Sequence, residues 1–173
     1  NQSTPFGFAG SYIVNADMDG DGDMDLVGPV DSDDDIRWFE NNGNQTDTDG
    51  DGDIELGFTE RTIDGDFDGA NNVYAVDVDG DGDMDVVASA WNADDIAWFE
   101  NNGSESFTER TIDGDFDGAN SVHPVDMDAD GDMDIVASAY MMMTLSGLRI
   151  MEVKVLRNAL LMVILTGQIL RMQ

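Results

Sequence analysis

The sequence has no cysteine, one histidine, three prolines and only seven lysines and arginines in 173 residues. Without cysteine there is no disulfide framework and no thiolate metal site, although secreted domains stapled by metal ions also do without disulfides. Seven basic residues against 38 acids, a formal net charge of −31, exclude nucleic acid as a partner, because phosphate is gripped by Lys and Arg. A membrane span is excluded as well. The most apolar run, residues 159–165 (ALLMVIL), is far shorter than the roughly 20 residues a spanning helix needs, and Thr166, Gly167 and Gln168 interrupt it. The first residue is Asn and no charged, apolar leader opens the chain, so a secretion signal is expected to have been removed or to lie upstream.

Strong acidity can mean disorder, but 41% of the residues are hydrophobic, and their arrangement is that of short strands. Clusters at residues 73–76, 86–90 and 96–99 are each bounded by Asp, Asn and Gly. The chain also repeats itself. VYAVDVDGDGDMDVVASA at 73–90 returns as VHPVDMDADGDMDIVASA at 122–139, a period of 49 from Asp77 to Asp126. An earlier copy has its first loop residue, Asp17, 60 positions before Asp77; the excess of 11 is an insertion within 44–57 carrying DTDGDGDIE. Copies thus fall near 13–63, 73–112 and 122–140.

Each unit reads as four short strands, in the second copy around 73–77, 84–90, 96–100 and 107–112, joined by Gly, Asn and Asp turns. Four strands per period is a propeller blade. The expected fold is therefore all-β, a partial β-propeller of about three four-stranded blades. Closure takes roughly 4 to 8 blades, so the chain is expected to be a piece whose remaining blades belong to a longer parent protein.

Three segments share one acidic pattern: DMDGDGDMD at 17–25, DVDGDGDMD at 77–85 and DMDADGDMD at 126–134. Calcium takes oxygen ligands, and a tight loop aims carboxylates from positions 1, 3 and 5 inward while position 7 offers its backbone carbonyl. Position 9 closes the site. The predicted side-chain ligands are Asp17, Asp19, Asp21 and Asp25; Asp77, Asp79, Asp81 and Asp85; and Asp126, Asp128, Asp130 and Asp134. Backbone ligands come from Asp23, Asp83 and Asp132. Gly22, Gly82 and Gly131 stand at position 6, where the turn is sharpest. Position 4 holds Ala129 in the third copy, which implies that no special conformation is demanded there. The insertion offers a fourth candidate: Asp47, Asp49, Asp51, Asp53 and Glu55, around Gly52. An EF-hand is excluded, since position 12 holds Gly28, Ala88 or Ala137 instead of a bidentate acid, and β-type residues follow directly.

The DxDGDGDxD loop, the VVASA strand, DDIAWFENNG and FTERTI together resemble the FG-GAP or VCBS repeats. That resemblance, covering nearly all of residues 1–140, implies a propeller similar to the integrin α-subunit head, with calcium in hairpin loops. The two departures from the family pattern, a blade count near three and the 11-residue insertion, bear on closure and blade geometry, not on ligand identity. The expected function is a secreted or cell-surface calcium-binding module that binds or adheres to an extracellular protein or glycan. Two other readings stand beside it: an accessory domain of a secreted carbohydrate-active enzyme, and a spacer in a large adhesin. No catalytic residue is assigned, because nearly every clustered Asp recurs in each copy, as a structural device would. The DGDFDGAN segments at 64–71 and 113–120 are either weak cation sites or solvated connections between blades. Trp38 and Trp98 are either platforms for sugar rings or packing between blades. His123 replaces Tyr74 of the preceding copy and is read as a surface residue.

Residues 141–173 lack an acidic loop and hold four of the seven basic residues. They are a further repeat read out of frame. If one nucleotide is lost after Tyr140 from a gene continuing NDDDIVWFENNGSESFTERTIDGDFDGAN, each codon becomes two bases of one repeat codon and one of the next. Phe–Glu, TTT GAG, yields TTG for Leu148; Glu–Asn yields AGA for Arg149; Asn–Asn yields ATA for Ile150. The same rule reproduces every residue from Met141 to Ile169. Restoring one nucleotide is therefore expected to give a more soluble and more protease-resistant protein. Limited proteolysis checks this: in the present frame the first cuts fall within 141–173, and survival of that segment while 73–120 is cut would refute the reading.

Overall fold

Runs of β-branched and aromatic residues, cut by Asp-Gly and Asn-Asn-Gly turns, fold into short antiparallel strands. The computed structural model describes residues 12–30, 34–46, 55–142, 149–157 and 160–165. Strands β1 (Val14–Ala16), β2 (Asp25–Val30), β3 (Asp35–Thr46) and β4 (Glu55–Asp64) form one sheet. A second contains β5 (Ala70–Val76), β6 (Asp85–Ala90), β7 (Asp95–Asn101) and β8 (Phe107–Asp113). The third contains β9 (Ala119–Val125), β10 (Asp134–Met142), β11 (Arg149–Arg157) and β12 (Leu160–Leu165). Every sheet is an antiparallel meander in chain order, and the described residues contain no helix. The architecture is all-β and matches a partial β-propeller-like repeat, with strands close to those read from the second copy.

The second sheet is covered on both faces, and the two-residue period of its strands sorts its side chains between them. All six residues of β6 are buried. Val86, Ala88, Ala90, Ala97 and Phe99 join Val27, Ile36 and Trp38 in the core shared with the first sheet. Their chain neighbours Val87 and Ile96 join Val122, Ile135 and Ala137 in the core shared with the third. Each connection between sheets adds a plug: Phe67, 3% exposed, meets Phe99 edge-on at 5.3 Å, and Phe116 is buried in the second core. The glycine after each plug sits at positive φ, and its N–H is accepted by an aspartate of the neighbouring hairpin: Gly69 by Asp34 at 3.2 Å, Gly118 by Asp94 at 2.8 Å.

The insertion lengthens the β3–β4 hairpin, which regains its pairing at Gln45↔Leu56 after a register shift. Two segments of residues 141–173 extend the third sheet, since β11 pairs with β10 and β12 with β11. The register is not that of the repeat. In the first two sheets the hairpin closes at Val30↔Asp35 and Ala90↔Asp95, whereas the third closes at Met142↔Arg149 around a longer connection.

One electrostatic contrast separates the first two sheets. Asp35 is paired with Arg37 at 2.6 Å, but two residues beyond its counterpart, Asp95, the sequence has Ala97. Burial, followed by the charges of Asp94, Asp113 and Asp115, raises the Asp95 carboxyl above its usual 3.8. A carboxyl raised by folding favours the fold below its unfolded pKa and loses that contribution as pH rises through the folded one. Asp95→Asn is thus expected to raise the urea midpoint at pH 7 and to leave it unchanged at acid pH where Asp95 is protonated. An equal shift at both pH values would contradict this.

Candidate metal centre

Each acidic loop joins the first two strands of a sheet, so the strand pairing fixes both of its ends. Ala16↔Asp25 and Val76↔Asp85 close the first two, and Val125↔Asp134 the third. Between these pairs the chain reverses through left-handed residues. Position 6 has φ of 97°, 100° and 98° at Gly22, Gly82 and Gly131, as the sharp turn requires. Position 4 is left-handed too: Gly20 at 76°, Gly80 at 79° and Ala129 at 62°. The inference that position 4 makes no conformational demand is therefore corrected, because Ala129 occupies the same backbone region against its steric preference.

The structure brings together positions 1, 3 and 9. Asp17, Asp19 and Asp25 offer ligand atoms within 4.8 Å of one another, as do Asp77, Asp79 and Asp85, and Asp126, Asp128 and Asp134. Position 5 stands outside these groups, and its carboxylate accepts the N–H of position 7: Asp21 from Asp23 at 2.8 Å, Asp81 from Asp83 at 2.9 Å, Asp130 from Asp132 at 3.1 Å. Position 7 sends its carboxylate out of the loop. A Cβ on Gly43 would lie 2.6 Å from Asp23 Oδ2, and one on Gly103 would collide with Asp83 Oδ2. The carboxylates of Asp23 and Asp83 thus lie against the glycine of the Asn-Asn-Gly turn in the same sheet. Asp47, Asp49, Asp51 and Asp53 lie outside the described residues, and Glu55 is described only as the first residue of β4.

Position 9 anchors the loop. Asp25 and Asp85 have no exposed surface, and Asp134 is 6% exposed. Asp25 accepts the N–H of Met18 at 2.9 Å and of Asn41 at 2.8 Å; Asp85 accepts those of Val78 at 2.9 Å and Asn101 at 2.8 Å. Burial nevertheless raises both carboxyls above their usual range, and these backbone N–H groups counter it only in part. Asp19 is raised as well, first by desolvation and further by the charges of Asp21 and Asp25.

The residues fit a hard divalent cation. Three carboxylates form an all-oxygen donor set of the kind calcium takes. Asp17 and Asp126 each use one oxygen to accept an N–H, from Gly22 and Gly131 at 3.1 Å, while the other oxygen is buried without a partner. A buried carboxylate oxygen with no donor is costly, and a cation at this point would satisfy it.

Asn41 and Asn101 were missed in the sequence. Their signal was there, in the NNG that follows WFE in both copies. The DGDFDGAN segments contribute no group of converging ligands among the described residues, and their phenylalanines are packing plugs. Trp38 is 1% exposed, with the Arg61 guanidinium 5.4 Å over its ring; Arg110 lies 5.7 Å over half-buried Trp98. Both indoles are packing residues, not open platforms. His123 is exposed and meets Tyr74 edge-on at 4.9 Å, as a surface residue would.

Meandering four-stranded sheets, each with an acidic loop between its first two strands, define a β-repeat protein. A family model for FG-GAP-like repeats matches residues 17–88 and 77–137, and the chain belongs to that family. Each match starts at the first Asp of one loop and runs past the whole of the next. No curated protein and no solved structure matches the chain.

Ala129→Gly is expected to raise stability by about 1 kcal/mol, by removing a left-handed Cβ from the third loop. A urea denaturation midpoint equal to or below that of the parent would refute the strain.

Proposed function

We propose that this chain is a calcium-stabilised repeat module of a secreted or surface-displayed protein, and that it binds an extracellular protein or glycan instead of catalysing a reaction. The observation that carries the reading is the convergence of three carboxylates at the same point of three loops, with Asp17 and Asp126 each holding a buried, unpartnered oxygen. Calcium supplies the positive charge that such a cluster lacks. The chain's own part is to hold the ligands: position 9 is pinned by two backbone N–H groups in the first two loops and by that of Met127 in the third, beside the left-handed turns at positions 4 and 6.

The repetition also argues for a structural role for the acids. A catalytic pair would need two carboxylates in unlike environments, whereas here the same three positions converge in each of the three loops among the described residues. FG-GAP-like repeats build integrin-like modules, and membership of that family supports placing this one outside the cell. Extracellular calcium of about 1 mM fills loops of this kind, with dissociation constants of about 10⁻⁴ to 10⁻³ M, to between about half and about nine-tenths. Linkage then contributes roughly 0.4 to 1.4 kcal/mol per site, or roughly 1 to 4 kcal/mol for three.

Two measurements test the reading. Calcium is expected to raise the melting temperature and EGTA to lower it, and a transition indifferent to both would overturn the proposal. Asp79→Ala is expected to weaken binding at the second loop much more than Asp83→Ala, since Asp83 offers a carbonyl. Equal losses by calorimetry would overturn the assignment of roles.

A further inference from the structure

Asn101 is 1% exposed and lies at the end of β7, where its polar groups reach two acidic loops at once. Its backbone N–H donates to Asp85 Oδ1 at 2.8 Å, and its side-chain Nδ2 donates to Met84 O at 3.1 Å, both in the loop of its own sheet. The same Nδ2 donates to Met18 O at 3.1 Å, in the loop of the neighbouring sheet. Its Oδ1 is held by the N–H of Gly103 at 3.1 Å, which fixes the amide orientation. Met18 in turn donates its N–H to Asp25 Oδ2 at 2.9 Å.

A continuous path of hydrogen bonds therefore runs from Asp25, through Met18 and Asn101, to Asp85. Both ends are candidate ligands of different loops. Met18 also stands between Asp17 and Asp19, so any closing of the first loop around a cation moves the carbonyl that Asn101 holds. From this geometry we infer that Asn101 is a positioning residue that couples the first and second loops, so that calcium in one raises the affinity of the other. The inference rests on the calcium reading above.

The coupling follows from where the amide sits. With its Oδ1 engaged by Gly103, the side chain has only Nδ2 to offer, and that group is shared between two loops that must both be ordered for both bonds to form. A cation that orders the first loop has already met part of the ordering cost of the second. The coupling is reciprocal by linkage. One period on, position 150 is Ile, which has no side-chain donor, so this residue's device is confined to the first pair of loops.

The test uses the full chain carrying Asp49→Ala and Asp128→Ala, which silence the insertion and the third loop and leave the first two for calcium calorimetry. The second ion is expected to bind about fivefold or more tightly than the single ion bound after adding Asp19→Ala. Asn101→Ala is expected to abolish that difference, leaving two independent sites. Asn101→Ser serves if the alanine variant does not fold by circular dichroism, and the comparison with Asp19→Ala needs no change at Asn101. Absence of any calcium binding would defeat the calcium reading itself. Calcium bound at both loops without a tighter second step, or a tighter step that survives at Asn101 variants, would overturn the coupling alone.

Discussion

A carboxylate with no access to water must be satisfied from within, and Asp25 and Asp85 are satisfied by the same pair of backbone N–H groups. One donor lies at position 2 of the acidic loop and the other at the Asn that ends the WFEN strand. A single side chain thus ties the loop, the second strand and the third strand together. Losing it would leave two buried N–H groups without acceptors, each a penalty of about 1 to 3 kcal/mol. Burial of the charge is the cost of this tie, visible as the raised carboxyls of Asp25 and Asp85.

The rest of the loop follows from that anchor. With its ends fixed by β-pairing and position 9 held inside, a nine-residue segment must reverse in very little space, and the left-handed residues at positions 4 and 6 make the reversal. Carboxylates are then crowded on its inner side in a chain that carries −31. Ion pairs relieve the charge only locally. Arg61 bonds Glu40 at 2.5 Å within the first sheet and Glu105 at 2.7 Å across to the second, while its guanidinium covers Trp38. It is one of three arginines before residue 141, too few to balance the acidic loops from within.

Much of this was legible in the sequence, because a repeat of period 49 shows its strands, turns and loops more than once. The alternation in β6 and β7, the glycines at position 6 and the outward carboxylate of position 7 all follow from local rules. What escaped is in part conformational: Asp21, Asp81 and Asp130 turn to their own backbone two residues on, and Ala129 adopts a glycine's conformation. Phe67 and Phe116 sit among acids and glycines and read as loop residues, yet each is buried by a sheet that comes later in the chain. The pairing of β11 and β12 shows the same limit from the other side. Residues 141–173 carry no acidic loop, yet backbone pairing of β11 and β12 onto β10 needs only extended chain and a free edge.

The contacts between the second and third sheets have a particular symmetry. Asn71 Nδ2 donates to Asn120 O at 2.7 Å, Asn72 Oδ1 receives the Ser121 hydroxyl at 3.4 Å, and Tyr74 meets His123. All three contacts join a residue to the position one period further on, and in the Asn71–Asn120 pair both positions carry the same residue, so a single unit holds both halves of that contact. An unequal crossover that duplicates a whole unit in the gene therefore reproduces the Asn–Asn contact at the junction it creates, and such an array can lengthen under recombination without a new solution for that bond.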